Sequence, residues 1–156
     1  RSPWLARNDY VDVVLDRSND SIERFFDRHA TRALNPVEMT TALKLLEVQR
    51  NAMLMYTSCG WFFDEIAGIE TVQILQYAGR TIQIAEHLSG EKLEPRFLAM
   101  LENAKSNVTA YRDGRRIWDR SVRPAMVDLE KVGAHYAVSS LFDNDGKLKE
   151  VACYTI

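Results

Sequence analysis

The sequence predicts an all-α fold, a helical bundle of about five to six helices, and three observations carry that prediction. Side chains of matching character recur at spacings of three and four over two long stretches, near residues 36–58 and 70–87. Helix punctuation flanks these stretches: Asn35, Pro36 and Glu38 before the first, Ser89 and Gly90 after the second. A third helical pattern from Arg115 to Phe142 carries Pro124 inside it. With 156 residues, 46% of them apolar, the chain suits one domain with a sizeable core and is not disordered by default.

Taken in order, Tyr10 to Asp16 and Ile22 to His29 form two short helical patterns, with Asp20 and Glu23 offering a cap for the second. Asn35 reads as an N-cap, Pro36 as the first helical residue and Glu38 as the reciprocal acid of a capping box. The helix that follows is expected to run to about Ser58, with Ala42, Leu45, Gln49, Met53 and Tyr56 along one side. The next helix carries two rows. Val72, Leu75, Ala78, Ile82 and Ala85 are ordinary core, while Glu70, Gln73, Tyr77, Arg80, Ile84 and His87 are rich in hydrogen-bonding groups. Glu94 to Ala104 is a further short helix. Pro124 removes a backbone donor and crowds the preceding turn, so a kink is expected near residues 120–124 of a long C-terminal helix. The tail from Lys149 to Ile156 has the content of a short truncated strand, which either pairs with a segment outside this chain or lies disordered.

Between the two longest patterns lies YTSCGWFFDEIAGIE, Tyr56 to Glu70. A plain helix connection is short and polar, whereas Trp61, Phe62 and Phe63 sit here between Gly60 and Gly68, followed by Asp64 and Glu65. Aromatic faces beside carboxylates suit a sugar, whose C–H faces stack and whose hydroxyls need acceptors. The structural alternative is that the aromatics plug a bundle end while the acids cap the next helix. Composition alone favours that alternative, because aromatic residues more often fill cores. The candidate polar and aromatic surface comprises Tyr56, Trp61, Phe62, Asp64, Glu65, Glu70, Gln73 and Tyr77. For Arg80 and His87 the ordinary reading is preferred, with Arg80 pairing with a neighbouring acid.

The run from Leu45 to Gln83, LLEVQRNAMLMYTSCGWFFDEIAGIETVQILQYAGRTIQ, with VRPAMVDLEKVGAHYAVSSLF from Val122 to Phe142, resembles a known protein region. It is similar to the C-terminal helical region of bacterial proteins that carry a family-57-type glycoside hydrolase domain in front, the alpha-amylase/alpha-mannosidase-like proteins. The likeness extends from WLARNDYVDVVLDRS at Trp4 to the closing ACYTI. It implies that residues 1–156 are one helical domain of a longer protein, packed on an N-terminal catalytic barrel whose carboxylates do the chemistry. The Tyr56 to Glu70 segment would then help to line the glycan cleft. A trace of the family's Ser-Asp-Trp-Pro-Phe run survives as Ser58, Cys59, Gly60, Trp61 and Phe62, without its Asp and Pro. The aromatic role carries over to Trp61 on that basis.

The implied partners are the barrel of the same chain and an oligosaccharide or polysaccharide, and homo-oligomerisation stays open. No cofactor, metal, nucleic acid or membrane is expected. The 20 basic and 22 acidic side chains are intermixed, giving a formal charge of -2 and no basic stripe. Cys59 and Cys153 are too isolated for a disulfide framework or zinc knuckle, which makes a reducing, cytoplasmic setting the simplest inference. The chain begins without Met and without the order of a signal peptide, consistent with a piece cut from something longer.

Within the chain, catalytic machinery is not expected. Asp64 and Glu65 are adjacent and point apart on most backbones, while Asp64 and Glu70 could be brought together by the turn at the separation of a retaining glycosidase. Cys59 is read as a buried, inert thiol. His29, His87 and His135 lack metal-helix spacing, although Asp128, His135 and Ser139 share a helical face. Asp113, Gly114, Arg115 and Arg116 could meet an anion at a helix start, or simply be solvated. Beside the accessory glycan-lining domain stands a second reading, a structural docking or dimerisation bundle with no ligand role. A free-standing enzyme comes third.

Overall fold

The computed structural model describes residues 2–142, 150–151 and 154–155. Its described residues are helical with a minimal strand pair, an all-α fold as expected. The chain divides into two compact units, residues 1–124 and 125–156.

The first unit begins with α1 (Pro3–Leu15), α2 (Asn19–His29) and α3 (Pro36–Leu54). Its core forms around Tyr10, Val13, Phe25 and Phe26, with Met39, Ala42, Leu43 and Leu46 of α3 closing over it. Burying side chains of this size contributes roughly 1.5–3 kcal/mol each. Of the row read along one side of this helix, Leu45, Gln49, Met53 and Tyr56 face water. The side of α3 that packs on the core runs through Met39, Ala42, Leu43 and Leu46, so the row shares only Ala42 with it. The capping box is present as expected, since Asn35 Oδ1 accepts from the Glu38 N–H at 3.0 Å and Glu38 Oε2 accepts from the Asn35 N–H at 2.9 Å. α2 starts on Ser18, whose hydroxyl accepts from the Ser21 N–H, rather than on Asp20 or Glu23. Ser18 lies just outside the apolar pattern, where a cap belongs.

Tyr10 also ties α1 to α3. Its hydroxyl donates to Glu47 Oε1 at 2.7 Å, and Arg17 and Arg50 pair with the same carboxylate. Burial, reinforced by the Glu47 carboxylate, pushes the Tyr10 hydroxyl up to about 12. Burial also pushes Glu47 up, but the bonds from Arg17, Tyr10 and Arg50 outweigh it and leave the carboxyl below its usual range.

α4 (Ile69–Ser89) packs along α3 and ends at Gly90, whose φ of 75° is the left-handed conformation that glycine adopts without strain. Leu75, Ala78 and Ile82 of the expected core row are buried, and so is Ile84 from the row read as polar. α5 (Glu94–Leu101) starts without a cap of its own. Glu86, in the last turn of α4, supplies one: its Oε1 accepts from the N–H groups of Leu93 at 2.6 Å and Glu94 at 2.9 Å. Those bonds, the one from Glu94 first, hold the Glu86 carboxyl low.

The long C-terminal helix expected from Arg115 to Phe142, kinked at 120–124, is interrupted there. α6 (Gly114–Ile117) runs into a π turn at Trp118–Val122 and then a 3-10 turn at Arg123–Ala125 that contains Pro124. Pro cannot donate the i→i−4 bond, so the backbone widens and then tightens around it instead of bending as one rod. Ile117, Trp118 and Val122 are completely buried, with the Trp118 ring 5.3 Å from Phe97 and its Nε1–H donating to Glu94 at 2.8 Å. Asp113 Oδ1 accepts from the Arg116 N–H at 3.0 Å, so the backbone at the start of α6 is capped by its own carboxylate.

The second unit contains α7 (Leu129–Ser140), capped by Asp128, which accepts from the Lys131 N–H at 2.8 Å. Asp128 is therefore a helix cap rather than a partner for His135, which is exposed. In the tail, β1 (Glu150–Val151) pairs antiparallel with β2 (Tyr154–Thr155). Among the described residues the partner of β1 is thus β2 of the same tail. Lys149, Ala152, Cys153 and Ile156 of the expected strand lie outside the described residues. Among the described residues no helix is long and apolar enough to cross a membrane.

Candidate functional site

After α3 ends, Ser58–Trp61 forms a single 3-10 turn that docks on α4 through Gly60. Only glycine fits, because a Cβ there would lie 2.4 Å from Ile74 Cγ1. Thr71 Oγ1 donates to the Gly60 carbonyl at 2.9 Å and fixes the same contact from the polar side. The close approach is made by the backbone, so the side chain of the next residue is turned outward.

Outward is where the aromatics go. Tyr56 is 85% exposed, Trp61 74%, Phe62 73% and Phe63 60%. They do not plug the bundle end, and the composition-based alternative is overturned on this point. Nor do the acids cap α4, since among the described residues no side chain caps its N-terminus. Phe62 and Phe63 stack edge to face, with centroids 5.0 Å apart at 82°.

Glu65 does a different job from the one its position suggested. Its carboxylate accepts from Ser106 Oγ and the Asn107 N–H, both at 2.6 Å, and from the Ala67 N–H at 2.8 Å. Asn107 Nδ2 donates back to the Asp64 carbonyl at 2.5 Å. The Ser106 hydroxyl above all, with the backbone N–H groups, keeps the Glu65 carboxyl below the usual carboxylate range. A carboxylate already accepting three bonds is a clamp on the turn, not a free acceptor for a sugar or a proton. Ser106 and Asn107 lie about 40 residues downstream, and no periodic signal in the sequence links them to Glu65.

A shallow groove of about 360 Å³ opens beside the turn, lined by Thr57, Cys59, Ile69, Glu70, Gln73, Ile74 and Tyr77. It unites Glu70, Gln73 and Tyr77, three of the expected residues, on one face of α4 at helical spacing. Tyr56, Trp61, Phe62, Asp64 and Glu65 are not part of its wall. Cys59 is exposed and lines the groove, contrary to the buried thiol expected. Its place follows from Gly60, because the turn that presses glycine onto Ile74 leaves the preceding side chain at the rim. Further along α4 the polar row has ordinary partners. Arg80 donates to Gln83 at 2.8 Å rather than to an acid, and His87 lies 3.0 Å from Lys44 Nζ.

The arrangement offers flat aromatic faces on a pinned turn next to a groove with a carboxylate, an amide and a phenol. That combination can stack on and hydrogen-bond a polar ligand. No curated protein and no solved structure matches this chain. A family model described as a domain of unknown function, DUF3536, matches residues 1–156, and the chain belongs to that family.

Proposed function

We propose that this chain is an accessory helical domain of a family-57-like glycoside hydrolase, packing on a catalytic barrel and lining the glycan cleft with the Tyr56 to Glu70 segment. The observation that carries the reading is the exposure of Trp61, Phe62 and Tyr56 on a turn held by Gly60, Thr71 and Glu65. Large rings left in water on an anchored segment are a prepared surface, because an unanchored turn would fold them inward to remove apolar area from water. Glu70, Gln73 and Tyr77 supply the convergent polar groups in the adjacent groove. The resemblance described for Leu45 to Gln83 names the ligand class, and the catalytic carboxylates belong to the barrel.

The decisive experiment is hydrolysis of α-linked glucans and mannosides by the parent protein with Trp61→Ala. Loss of one stacking platform is expected to lower kcat/KM by about tenfold, equivalent to about 1.4 kcal/mol, with thermal unfolding unchanged. Undiminished hydrolysis would reject the glycan role. Ile69, at 80% exposed, favours the second reading, in which this surface docks on a protein. That reading gains if Trp61→Ala leaves hydrolysis intact and instead releases the domain from its partner.

A further inference from the structure

A second concavity lies away from the aromatic turn. It has a volume of about 420 Å³ and is lined only by charged side chains: Glu102, Lys105, Arg112, Asp113, Arg115, Arg116 and Asp119. Four cations face three carboxylates, and each carboxylate already has a partner. Glu102 pairs with Arg115, Asp113 receives the Arg116 N–H and lies 3.9 Å from Lys105 Nζ, and Asp119 accepts from Arg123 Nε at 3.2 Å. Lys105 is engaged as well, donating to the Glu102 carbonyl at 2.6 Å. Among the described residues the guanidiniums of Arg112 and Arg116 have no such partner. Two exposed planar forks, paired with no protein carboxylate, thus share one cleft.

The backbone that presents Arg112 is held on both sides. Arg112 has φ 61°, a left-handed conformation rarely adopted by residues other than glycine, asparagine and aspartate. The strand-like bridge between Lys105 and Asp113, the Ser106 N–H on the Arg112 carbonyl at 3.0 Å and the Gly114 N–H on Ala104 at 2.8 Å fix it there. Gly114 lets the two arms close, since a Cβ would meet Leu101 at 2.7 Å. The surrounding structure thus holds the Arg112 backbone before any ligand arrives, which lowers the entropy lost on binding.

We propose that this cleft binds a small phosphate ester bearing hydroxyl groups, with Arg112 and Arg116 gripping the phosphate. Guanidinium forks match phosphate oxygens in pairs, which a lone carboxylate or a halide uses less well. The carboxylates of Glu102, Asp113 and Asp119, although engaged, keep lone pairs that can accept from the hydroxyls of such a ligand. The site is independent of the aromatic groove and of the glycan reading.

The test is calorimetric titration of this chain at physiological salt with glucose 6-phosphate, inorganic phosphate and glucose as probes. Glucose 6-phosphate should bind saturably, inorganic phosphate more weakly, and glucose not at all. The Arg112→Gly, Arg116→Ala double variant should weaken glucose 6-phosphate binding by at least about tenfold, and glycine keeps the φ of residue 112 unstrained. Arg96→Ala, an exposed arginine on α5 outside the cleft, should bind as the parent does. Any one of three results overturns the proposal: no saturable binding of glucose 6-phosphate, undiminished binding in a correctly folded double variant, or an equal loss in Arg96→Ala.

Discussion

Phe25 and Phe26 meet edge to face with centroids 5.4 Å apart at 77°, almost the geometry of Phe62 and Phe63. Yet the first pair is buried and the second stands in water. Ring geometry is local, set by adjacent positions on the chain, whereas burial depends on what anchors the segment. α2 is anchored by its rings, which α1 and α3 cover. The turn after α3 is anchored by backbone and polar atoms, namely Gly60 against Ile74, Thr71 on the Gly60 carbonyl, and Glu65 on Ser106 and Asn107. With anchoring done by other groups, the second pair of rings is free to serve a surface.

The sharpest way to break this comparison is to truncate one ring from each pair. Phe25→Ala should lower the unfolding free energy by about 3–5 kcal/mol, as core aromatics do, and Phe62→Ala by less than about 0.5 kcal/mol. Urea unfolding followed by circular dichroism measures both, and equal losses would remove the distinction. A smaller effect is expected at the anchor. Gly60→Ala forces a Cβ against Ile74, an overpacking that costs about 1–3 kcal/mol. Adding Ile74→Ala should recover part of that loss, which a change in turn conformation alone would not.

The smallest effect is in pH. The folded Glu65 carboxyl titrates below its unfolded value of about 4.3, so its stabilisation is present above that pH and is lost as pH falls through the lower folded value. Glu65→Gln should therefore flatten the acid limb of the stability profile. Tyr10, pushed up to about 12, works in the other direction. Its stabilisation is complete below about 10 and disappears as pH rises through the folded value. Alkali should thus loosen the α1–α3 contact, and Tyr10→Phe should remove that sensitivity. A difference in the alkaline limb between wild type and Tyr10→Phe, absent in Glu65→Gln, would assign each group to its own region.

What could be read from the sequence was what depends on near neighbours. The Asn35 and Glu38 box spans four positions and appeared as expected, and so did the core row through Leu75, Ala78 and Ile82. That Ser18 rather than Asp20 caps α2 is not legible, because several cap-forming residues stand in a row and only backbone geometry selects among them. Pro124 signals an interruption, but whether the chain bends or rewinds through a π turn is decided by packing around the fully buried Trp118 and Val122. In the candidate site, Glu70, Gln73 and Tyr77 share a face by helical spacing alone and could be read. The role of Glu65 could not, because its partners arrive from a loop far along the chain.

The cap that Glu86 lends to α5 bears on the order of assembly. α5 has eight residues, too few to persist as a helix in isolation. Its first N–H groups are satisfied by a side chain seven and eight positions earlier, in the final turn of α4. The start of α5 therefore depends on a completed last turn of α4, and Glu94, at that start, accepts from the Trp118 indole N–H. For a chain emerging from its N-terminus, the residue that caps α5 is thus one made before α5 itself.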